Sequence, residues 1–376
     1  MSLMKFHPSL THTLGVEIEL ALVDARTMAL TPAAPALLAR VPAGYGESIK
    51  PELMQSYVEI NSRVCDTVAD AEHDLRDKLA VVERLADETG VRLLWSATHP
   101  FSSWREQKVT DIPRYHGLID LLQDTARQLV TFGLHVHVGV DSGDKAVMIC
   151  DRMLRHLPVL LAASCNSPFW NGRVTGLHSW RSRVMEALPT AGLPPLMRNW
   201  SEYVWLIHHL VETGYIQTIR EIWWDMRPHN NFGTVEMRIC DVPGSLDDCL
   251  ALAALVQCLV KTLSDQIDRG TYQHDSHPMM ARQNKWSAAR YGLDAELVDA
   301  ETYQRRPVRE TLRDLVRLLR PAADDLDCRP YLERVLSIAA GPTWSQRQME
   351  IWEQTHDMRE VVRRLTDACR VVPNVA

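Results

Sequence analysis

The chain has 376 residues, of which 46% are hydrophobic and 24% charged, and its formal net charge is −7. This balance is typical of a globular protein and excludes a mainly disordered chain. The negative charge, without an obvious basic stretch, argues against nucleic acid as a partner, and the most apolar run, residues 250–260, is too short to cross a bilayer.

The first part of the chain predicts three strands with alternating apolar and polar residues, at 14–24, 56–61 and 132–140. This alternation is typical of strands with one buried face. Between the second and third strands, apolar residues at helical spacing predict a helix that ends at Gly90. Residues 91–97 then predict a short, fully buried strand.

The middle of the chain mixes helix, loop and strand signals. Residues 145–165 predict helical structure with a boundary at Pro158. The stretch 166–200 is rich in Asn, Ser, Gly, Pro and Arg and predicts a long loop, a kind of segment that often carries function. Helical spacing returns over 200–222, and 233–241 predicts a fourth alternating strand.

The last third is predicted to be largely helical. Ser245 is a suitable N-cap for a helix, and the chain beyond residue 305 is predicted to be helical. Ser345 and Gln348 have the spacing of a capping box. Alternating strands imply antiparallel pairing, and no linker divides the chain, so we expect one α+β domain over residues 1–376 with a helical C-terminal segment, 305–376.

The polar faces of the four alternating strands carry candidate ligands. In chain order they present Glu17 and Glu19, then Tyr57, Glu59 and Asn61, then His135 and His137, then Glu236 and Arg238. Glu52 lies seven residues before Glu59, shortly before the second strand begins. One such face would more often be a solvated surface, but four faces without a lysine favour a shared site. Carboxylates brought together in this way disfavour joint ionisation unless cations bind them.

The donor types indicate which metal such a site would bind. Oxygen donors outnumber nitrogen donors, which favours Mg²⁺ or Mn²⁺. Zinc is the weaker alternative because the set has no cysteine, although His135 and His137 could serve it. Carboxylate-bound Mg²⁺ usually accompanies nucleotide phosphates. Neither a Walker A motif nor a G-x-G-x-x-G motif is present, so the commonest nucleotide-binding folds are excluded by signature.

Three arginines are candidates for binding anionic substrate groups. Arg181 and Arg183 lie in the predicted loop, and Arg227 follows a Trp-Trp-Asp-Met sequence. Guanidinium groups bind carboxylate and phosphate oxygens in bidentate geometry. For any one of them alone, a surface salt bridge is the commoner alternative.

Five ordered segments resemble the type 2 glutamate–cysteine ligase family and its YbdK-type carboxylate–amine ligase branch. They are Gly15-Val-Glu17-Ile-Glu19, Trp95-Ser-Ala-Thr-His99-Pro100, Gly133-Leu-His135-Val-His137-Val-Gly139, Asn166-Ser-Pro-Phe-Trp170-Asn-Gly172 with Ser179-Trp-Arg181-Ser-Arg183, and Thr234-Val-Glu236-Met-Arg238. The resemblance implies a glutamine-synthetase-like fold, in which an antiparallel β-sheet funnel with flanking helices holds Mg²⁺ and ATP.

The resemblance also assigns roles to individual residues. It implies metal-ligand positions at Glu17, Glu19, Glu59, His135 and Glu236, and at Glu52 by its spacing. Arg238 falls at the position of an arginine near the transferred phosphate, and His137 is expected closer to the nucleotide than to the metal.

The implied activity is that of an ATP-dependent carboxylate–amine ligase. We expect it to form a γ-glutamyl-type amide through an acyl phosphate, with weak glutamate–cysteine ligase activity. Arg181, Arg183 and Arg227 would bind the substrate carboxylate or the leaving phosphate. Two alternatives remain: a guanidino-type phosphotransferase, by fold analogy alone, and a non-catalytic nucleotide- and metal-binding regulatory protein.

Partners and location follow from composition and pattern. The expected partners are a glutamate-like acid and a small amine, with neither a membrane nor nucleic acid, and exposed sheet edges favour a homodimer. The eight cysteines form no C-x-x-C pair and several lie in apolar stretches, which predicts buried thiols in a reducing compartment. The start of the sequence has no apolar stretch typical of a signal peptide, so we predict a soluble, cytoplasmic protein.

Overall fold

The computed structural model describes residues 4–271 and 277–371. The strands are β1 (Leu14–Asp24), β2 (Ile49–Pro51), β3 (Tyr57–Asn61), β4 (Val91–Leu94), β5 (Gly133–Gly139), β6 (Phe169–Trp170), β7 (Arg173–Val174), β8 (Ala191–Gly192), β9 (Trp223–Trp224), β10 (Met226–His229), β11 (Thr234–Asp241), β12 (Glu296–Val298) and β13 (Arg305–Pro307). The α-helices are α1 (Ala34–Leu38), α2 (Val68–Glu88), α3 (Pro113–Leu122), α4 (Asp124–Arg127), α5 (Gly143–Met153), α6 (Leu157–Ser164), α7 (Arg181–Glu186), α8 (Trp200–Glu212), α9 (Leu246–Asp268), α10 (Pro278–Tyr291), α11 (Val308–Asp325), α12 (Arg329–Ala340), α13 (Trp344–Thr355) and α14 (Met358–Ala368).

The main sheet is antiparallel and, in the described part of the chain, has seven strands. Its order is β10-β11-β5-β1-β3-β2, and β4 pairs with the end of β1. The long strand β1 lies at the centre because different parts of it pair with β3, β4 and β5. The predicted α+β class with an antiparallel sheet is therefore confirmed.

One face of the sheet packs against helices and forms the core. Val16, Ile18 and Val136 point to this face and are buried. Helix α9 contacts β5 on this side, while α6 contacts β11. Because α9 is covered by the sheet and by α11 and α12, its apolar residues extend around most of its circumference, as expected of an interior helix.

Most of the predicted elements are present. The four alternating strands, the helix before Gly90 and the division of 145–165 at Pro158 correspond to observed elements. Ser245 caps α9 by accepting a hydrogen bond from the Asp248 backbone N–H. All eight cysteines are buried and free, which confirms the prediction of buried thiols.

Two local predictions were wrong. The stretch 166–200 is not a continuous loop, since it contains helix α7 and short strands. The last predicted cap was misplaced by two residues: Thr343 and Gln346 form the capping box of α13. The sequence Thr-Trp-Ser-Gln-Arg-Gln fits both frames, and the extended backbone of Thr343 selects the earlier one. Ser345 instead bonds to His178.

Other elements carried too little periodicity to predict. Strands β2 and β10 are only three and four residues long, and strands that short give no reliable alternation. Helix α8 also ends at Glu212, well before residue 222. Among the described residues, no helix combines the length and the apolar character needed to cross a membrane.

Candidate functional site

The polar face of the main sheet forms the floor of an open cleft of about 530 Å³. Nearly all the candidate site residues line it: Glu17, Glu19, Glu52, Glu59, His135, His137, Arg181, Arg227, Glu236 and Arg238. The structure therefore brings together side chains that are up to 221 positions apart in the sequence, from Glu17 to Arg238.

Antiparallel register places these residues side by side. Glu17 on β1 lies opposite His135 on β5, and Glu19 lies opposite Glu59 on β3. Glu236 on β11 lies opposite His137. Since alternate residues of a strand point to the same face, these pairings gather the carboxylates and imidazoles over the centre of the sheet.

One end of the cleft holds three carboxylates with little compensation from cations. Oxygen atoms of Glu19, Glu52 and Glu59 lie within 4.8 Å of one another. Burial raises the pKa of Glu19 to about 7, and the Glu59 carboxylate acts in the same direction. The nearby Arg181 guanidinium offsets only part of this increase. Burial and the neighbouring carboxylates raise the pKa of Glu52 well above its ordinary value. A bound cation would relieve this repulsion.

The centre of the cleft holds Glu17 between two imidazoles. Its Oε2 lies 3.2 Å from His135 Nδ1, and its Oε1 lies 3.4 Å from His137 Nε2, without hydrogen-bond geometry in the second case. Burial alone would raise the pKa of Glu17, but the two histidines hold it well below its ordinary value. Burial, and then Arg238, lowers the pKa of His135 to about 4, so this imidazole is neutral and suited to metal binding.

The other end holds Glu236 between two arginines. Arg227 Nε donates to Glu236 Oε2 at 2.7 Å, and Arg238 Nη1 pairs with Oε1. Burial would raise the pKa of Glu236, but the two guanidinium groups hold it well below its ordinary value. Arg227 also donates to the carbonyl oxygens of Ile219 and Ile222. Arg227 thus connects the Glu236 carboxylate to the backbone of residues 219–222.

The donor atoms fit divalent cations that prefer oxygen ligands. Three overlapping groups have ligand atoms within 4.8 Å of one another: Glu17 with Glu59 and His135, Glu17 with His137 and Glu236, and Glu19 with Glu52 and Glu59. Seven of the nine ligand places are carboxylates, which suits Mg²⁺ or Mn²⁺ better than Zn²⁺. His135 and His137 each belong to one of these groups. The family resemblance had implied His135 as a metal ligand and His137 as a residue closer to the nucleotide.

The two arginines of helix α7 lie in different places. Arg181 is buried beside the cleft, and its Nη1 and Nη2 donate to the carbonyl oxygens of Ile239 and Arg238, each at 3.3 Å. Arg183 does not line the cleft, and the structure does not bring it together with the other candidate residues. It pairs with Glu186 and stacks on Trp286. Two positions along a helix turn the side chain by about 200°, so the two arginines face opposite sides.

Several residues of the cleft were missed by the sequence reasoning. They are Lys50, Arg114, Tyr115, Arg220, Trp223, His229, Asn231 and Phe232. Most lie on loops, on short helices or on strands of two to four residues. Such segments lack the periodicity that identified the main strands, so no periodic signal in the sequence pointed to these residues.

Comparison with known proteins gives a consistent family match. The chain matches the family model described as glutamate-cysteine ligase family 2 (GCS2) over residues 13–368. A protein of Gloeobacter violaceus named "Putative glutamate--cysteine ligase 2" is 42% identical over 362 residues, which cover 96% of this chain and 97% of that protein.

Solved structures share the fold at low sequence identity. The glutamate–cysteine ligase of Francisella tularensis, in complex with AMP, has a TM-score of 0.68 at 14% identity, covering 97% of this chain and 90% of that one. A bifunctional glutathione synthetase from Pasteurella multocida has a TM-score of 0.70 at 14% identity, covering 96% of this chain and 52% of that one. Similarity at this identity shows a common fold.

Proposed function

Since this chain belongs to the glutamate–cysteine ligase family 2, we propose that it activates a glutamate-like carboxylate with ATP and joins it to a small amine. Membership of the family makes it an ATP-dependent carbon–nitrogen ligase. The proposal concerns the substrates and the roles of individual residues. The observation that carries it is the cleft in which carboxylates and imidazoles face Arg181 and Arg238.

The proposed reaction has two steps. An oxygen of the substrate carboxylate attacks the γ-phosphorus of ATP and ADP leaves, which gives an acyl phosphate. The amine nitrogen then attacks the acyl carbon and loses a proton, and inorganic phosphate leaves as the amide forms. Phosphoryl transfer of this kind depends mainly on positioning the reactants and on stabilising charge on the phosphate oxygens.

The carboxylates and imidazoles would hold Mg²⁺ or Mn²⁺. Glu19, Glu52 and Glu59 form one candidate site, and Glu17 with His135 and Glu59, or with His137 and Glu236, forms an adjacent one. Metal ions bound there would neutralise the phosphate oxygens of ATP. The raised pKa values of these three carboxyl groups support this assignment. Burial raises the pKa of all three, and neighbouring carboxylates add to the effect: Glu59 on Glu19, Glu59 and Glu19 on Glu52, and Glu17 on Glu59.

The arginines would contribute in two different ways. Arg181 and Arg238 each have a buried Nε–H without a hydrogen-bond partner in the part of the chain that the structure describes. Both guanidinium groups line the cleft, where they can pair with oxygens of phosphate or of the substrate carboxylate. Arg227 is instead proposed as a positioning residue, since it holds the Glu236 carboxylate in place.

The two alternative functions receive no support. A guanidino-type phosphotransferase would release a stable phosphorylated amine, and neither the matched family nor the relatives point to that chemistry. A non-catalytic nucleotide- and metal-binding regulatory protein likewise finds no counterpart in the matched family or in the relatives, which are named as ligases.

The proposal is tested by incubating the protein with ATP, Mg²⁺ and glutamate against a panel of small amines. Mass spectrometry should detect ADP together with a new amide. Release of ADP together with a phosphorylated amine would instead support phosphotransfer, and a protein that makes no ADP with any acceptor would contradict the ligase function.

A variant tests the site. Glu59→Gln should abolish turnover while leaving the circular dichroism spectrum and thermal transition in place, because it removes one ligand charge without changing the side-chain volume. The exposed Glu353→Gln is the matched control and should retain wild-type activity. Full activity of Glu59→Gln would remove Glu59 from the proposed ligand set.

We further propose a homodimer acting in the cytoplasm. The edge strands β10 and β2 of the main sheet support the dimer, because sheet edges favour pairing or protection by another surface. The free, buried cysteines support the location. Sedimentation equilibrium should give twice the mass of the 376-residue chain, and a monomer at working concentrations would contradict the dimer.

A further inference from the structure

One large aromatic side chain at the rim of the cleft is mostly exposed and yet held in a fixed orientation. Phe232 is 62% exposed and follows β10 in the turn that leads to β11. One face of its ring is stacked on His229, with centroids 4.2 Å apart and planes within 11°. Phe232 is also one of the residues that line the cleft.

The turn that carries Phe232 is anchored at several points. The Phe232 backbone N–H donates to His229 Nδ1 at 3.3 Å, which ties the two stacked residues together. The Asn230 carbonyl oxygen accepts a hydrogen bond from the His7 backbone N–H at 2.9 Å. Gly233 has φ +64°, and a Cβ there would lie 1.8 Å from the His7 carbonyl oxygen. The N-terminal segment therefore fixes the turn, so the exposed ring is preorganised.

The aromatic pair lies beside the groups proposed to surround the phosphates. The ring of His137 is 5.6 Å from that of His229 and 5.7 Å from that of Phe232, by centroids. His137 in turn lies 3.9 Å from the Glu236 carboxylate. A ligand with its phosphates over Glu236 and Arg238 would thus extend a flat group toward Phe232.

We propose that Phe232, supported from behind by His229, is the stacking platform for the nucleobase of ATP. This inference rests on the proposed function. Every nucleobase has a π-face, and stacking on an aromatic side chain contributes substantially to nucleotide affinity without a demand for particular hydrogen bonds. The platform therefore makes the affinity for nucleotides higher than the affinity for polyphosphates that lack a base. Stacking alone does not discriminate between adenine and guanine.

The test compares two probes that share phosphates and differ in the base. Binding of ATP and of inorganic tripolyphosphate, each with Mg²⁺ and without the acid substrate, is measured by titration calorimetry. In Phe232→Ala, the Kd for ATP should rise on the order of 10-fold or more, while that for tripolyphosphate stays within twofold of wild type. Phe232→Trp should bind ATP at least as tightly as wild type.

The matched control for Phe232→Ala is an exposed aromatic side chain that lies outside the cleft. Tyr215→Ala removes another exposed aromatic ring, 74% exposed and outside the cleft, and should bind both probes as wild type does. Unchanged ATP affinity in Phe232→Ala would overturn the inference, as would an equal loss of affinity for both probes. Failure of the wild-type protein to bind ATP would instead defeat the proposed function itself.

Discussion

At the scale of single residues, the pKa of Glu52 indicates that the carboxylates of the cleft destabilise the folded protein when no cation is bound. Burial and the carboxylates of Glu59 and Glu19 raise its pKa well above the ordinary value. Between the unfolded and the folded pKa values, these carboxyl groups are therefore protonated in the folded, metal-free protein and ionised in the unfolded chain. Stability contributed by such groups falls as the pH rises from the unfolded pKa through the folded one, which for Glu19 means from about 4.5 to about 7.

Glu52→Gln should therefore stabilise the metal-free protein at pH 8. We expect a Tm about 2–4 °C above wild type, the shift that about 1 kcal/mol gives in a large domain, and a much smaller gain at pH 5, where the carboxyl is protonated. Added Mg²⁺ should raise the Tm of the wild type at pH 8 and have little effect on the variant. Differential scanning calorimetry at both pH values measures this.

The control for this experiment is Glu106→Gln, which neutralises an exposed carboxylate outside the cleft. Because its charge is solvated, its Tm should follow that of the wild type at each pH. A Glu52→Gln variant less stable than wild type at pH 8 without metal would contradict the proposed repulsion.

At the scale of elements, helix α7 separates two arginines that the sequence had treated alike. Arg181→Ala should lower kcat/KM by roughly 100-fold, the order of effect seen when one donor to a developing charge is removed. Arg183→Ala should stay within twofold of wild type, since its partners are Glu186 and Trp286 on the far side of the helix. Steady-state kinetics of the two variants compare them directly, and equal losses would contradict the division.

Gly133, the first residue of β5, leaves room for the Arg181 guanidinium because it has no side chain. A Cβ on Gly133 would lie 2.2 Å from Arg181 Nη2, so Gly133→Ala should displace the guanidinium and cost about 1–3 kcal/mol of stability through overpacking. Activity should fall toward that of Arg181→Ala. Urea unfolding and kinetics measure the two effects.

Gly117→Ala is the matched control for Gly133→Ala. Gly117 lies inside α3, and a Cβ there would have no neighbouring atom within 4 Å outside its own helix backbone. Alanine at this position should therefore be neutral or stabilise by up to about 1 kcal/mol. Wild-type activity in Gly133→Ala would show that Arg181 is not required in its observed position.

At the scale of the whole molecule, we propose that the chain is a single cooperative domain. One continuous cluster of buried apolar residues runs from Leu14 to Cys369. The C-terminal helices also share a polar network with the rest: Gln348 Nε2 on α13 donates to Asn166 Oδ1 at 2.6 Å and to Ser96 Oγ at 3.1 Å. Gln348 is fully buried.

Gln348→Ala should lower the stability of the entire chain by about 1–3 kcal/mol, because it leaves buried polar groups without partners. Calorimetry should show one transition that moves to lower temperature as a whole. Glu353→Ala, exposed on the same helix, should leave it in place. Two transitions, with only one of them moved, would show that the helical segment folds as a separate unit.

The sequence by itself determined the strands and the ligand types they carry. The alternation of apolar and polar residues in 14–24 or 233–241 is a local property of the sequence. It decides which side chains point away from the core, because successive side chains of a strand point to opposite faces of the sheet. Ordered segments such as Gly15-Val-Glu17-Ile-Glu19 then pointed to the family that the comparisons confirm. These inferences needed no knowledge of which strands pair.

Only the tertiary structure decided which side chains meet. The register of strand pairing places Glu17 between His135 and His137. In the six-residue helix α7, the helical geometry directs the side chains of Arg181 and Arg183 to different sides. Phe232 owes its position to contacts of its turn with His7, more than 200 residues away. Such contacts depend on long-range packing, which leaves no periodic signal in the sequence.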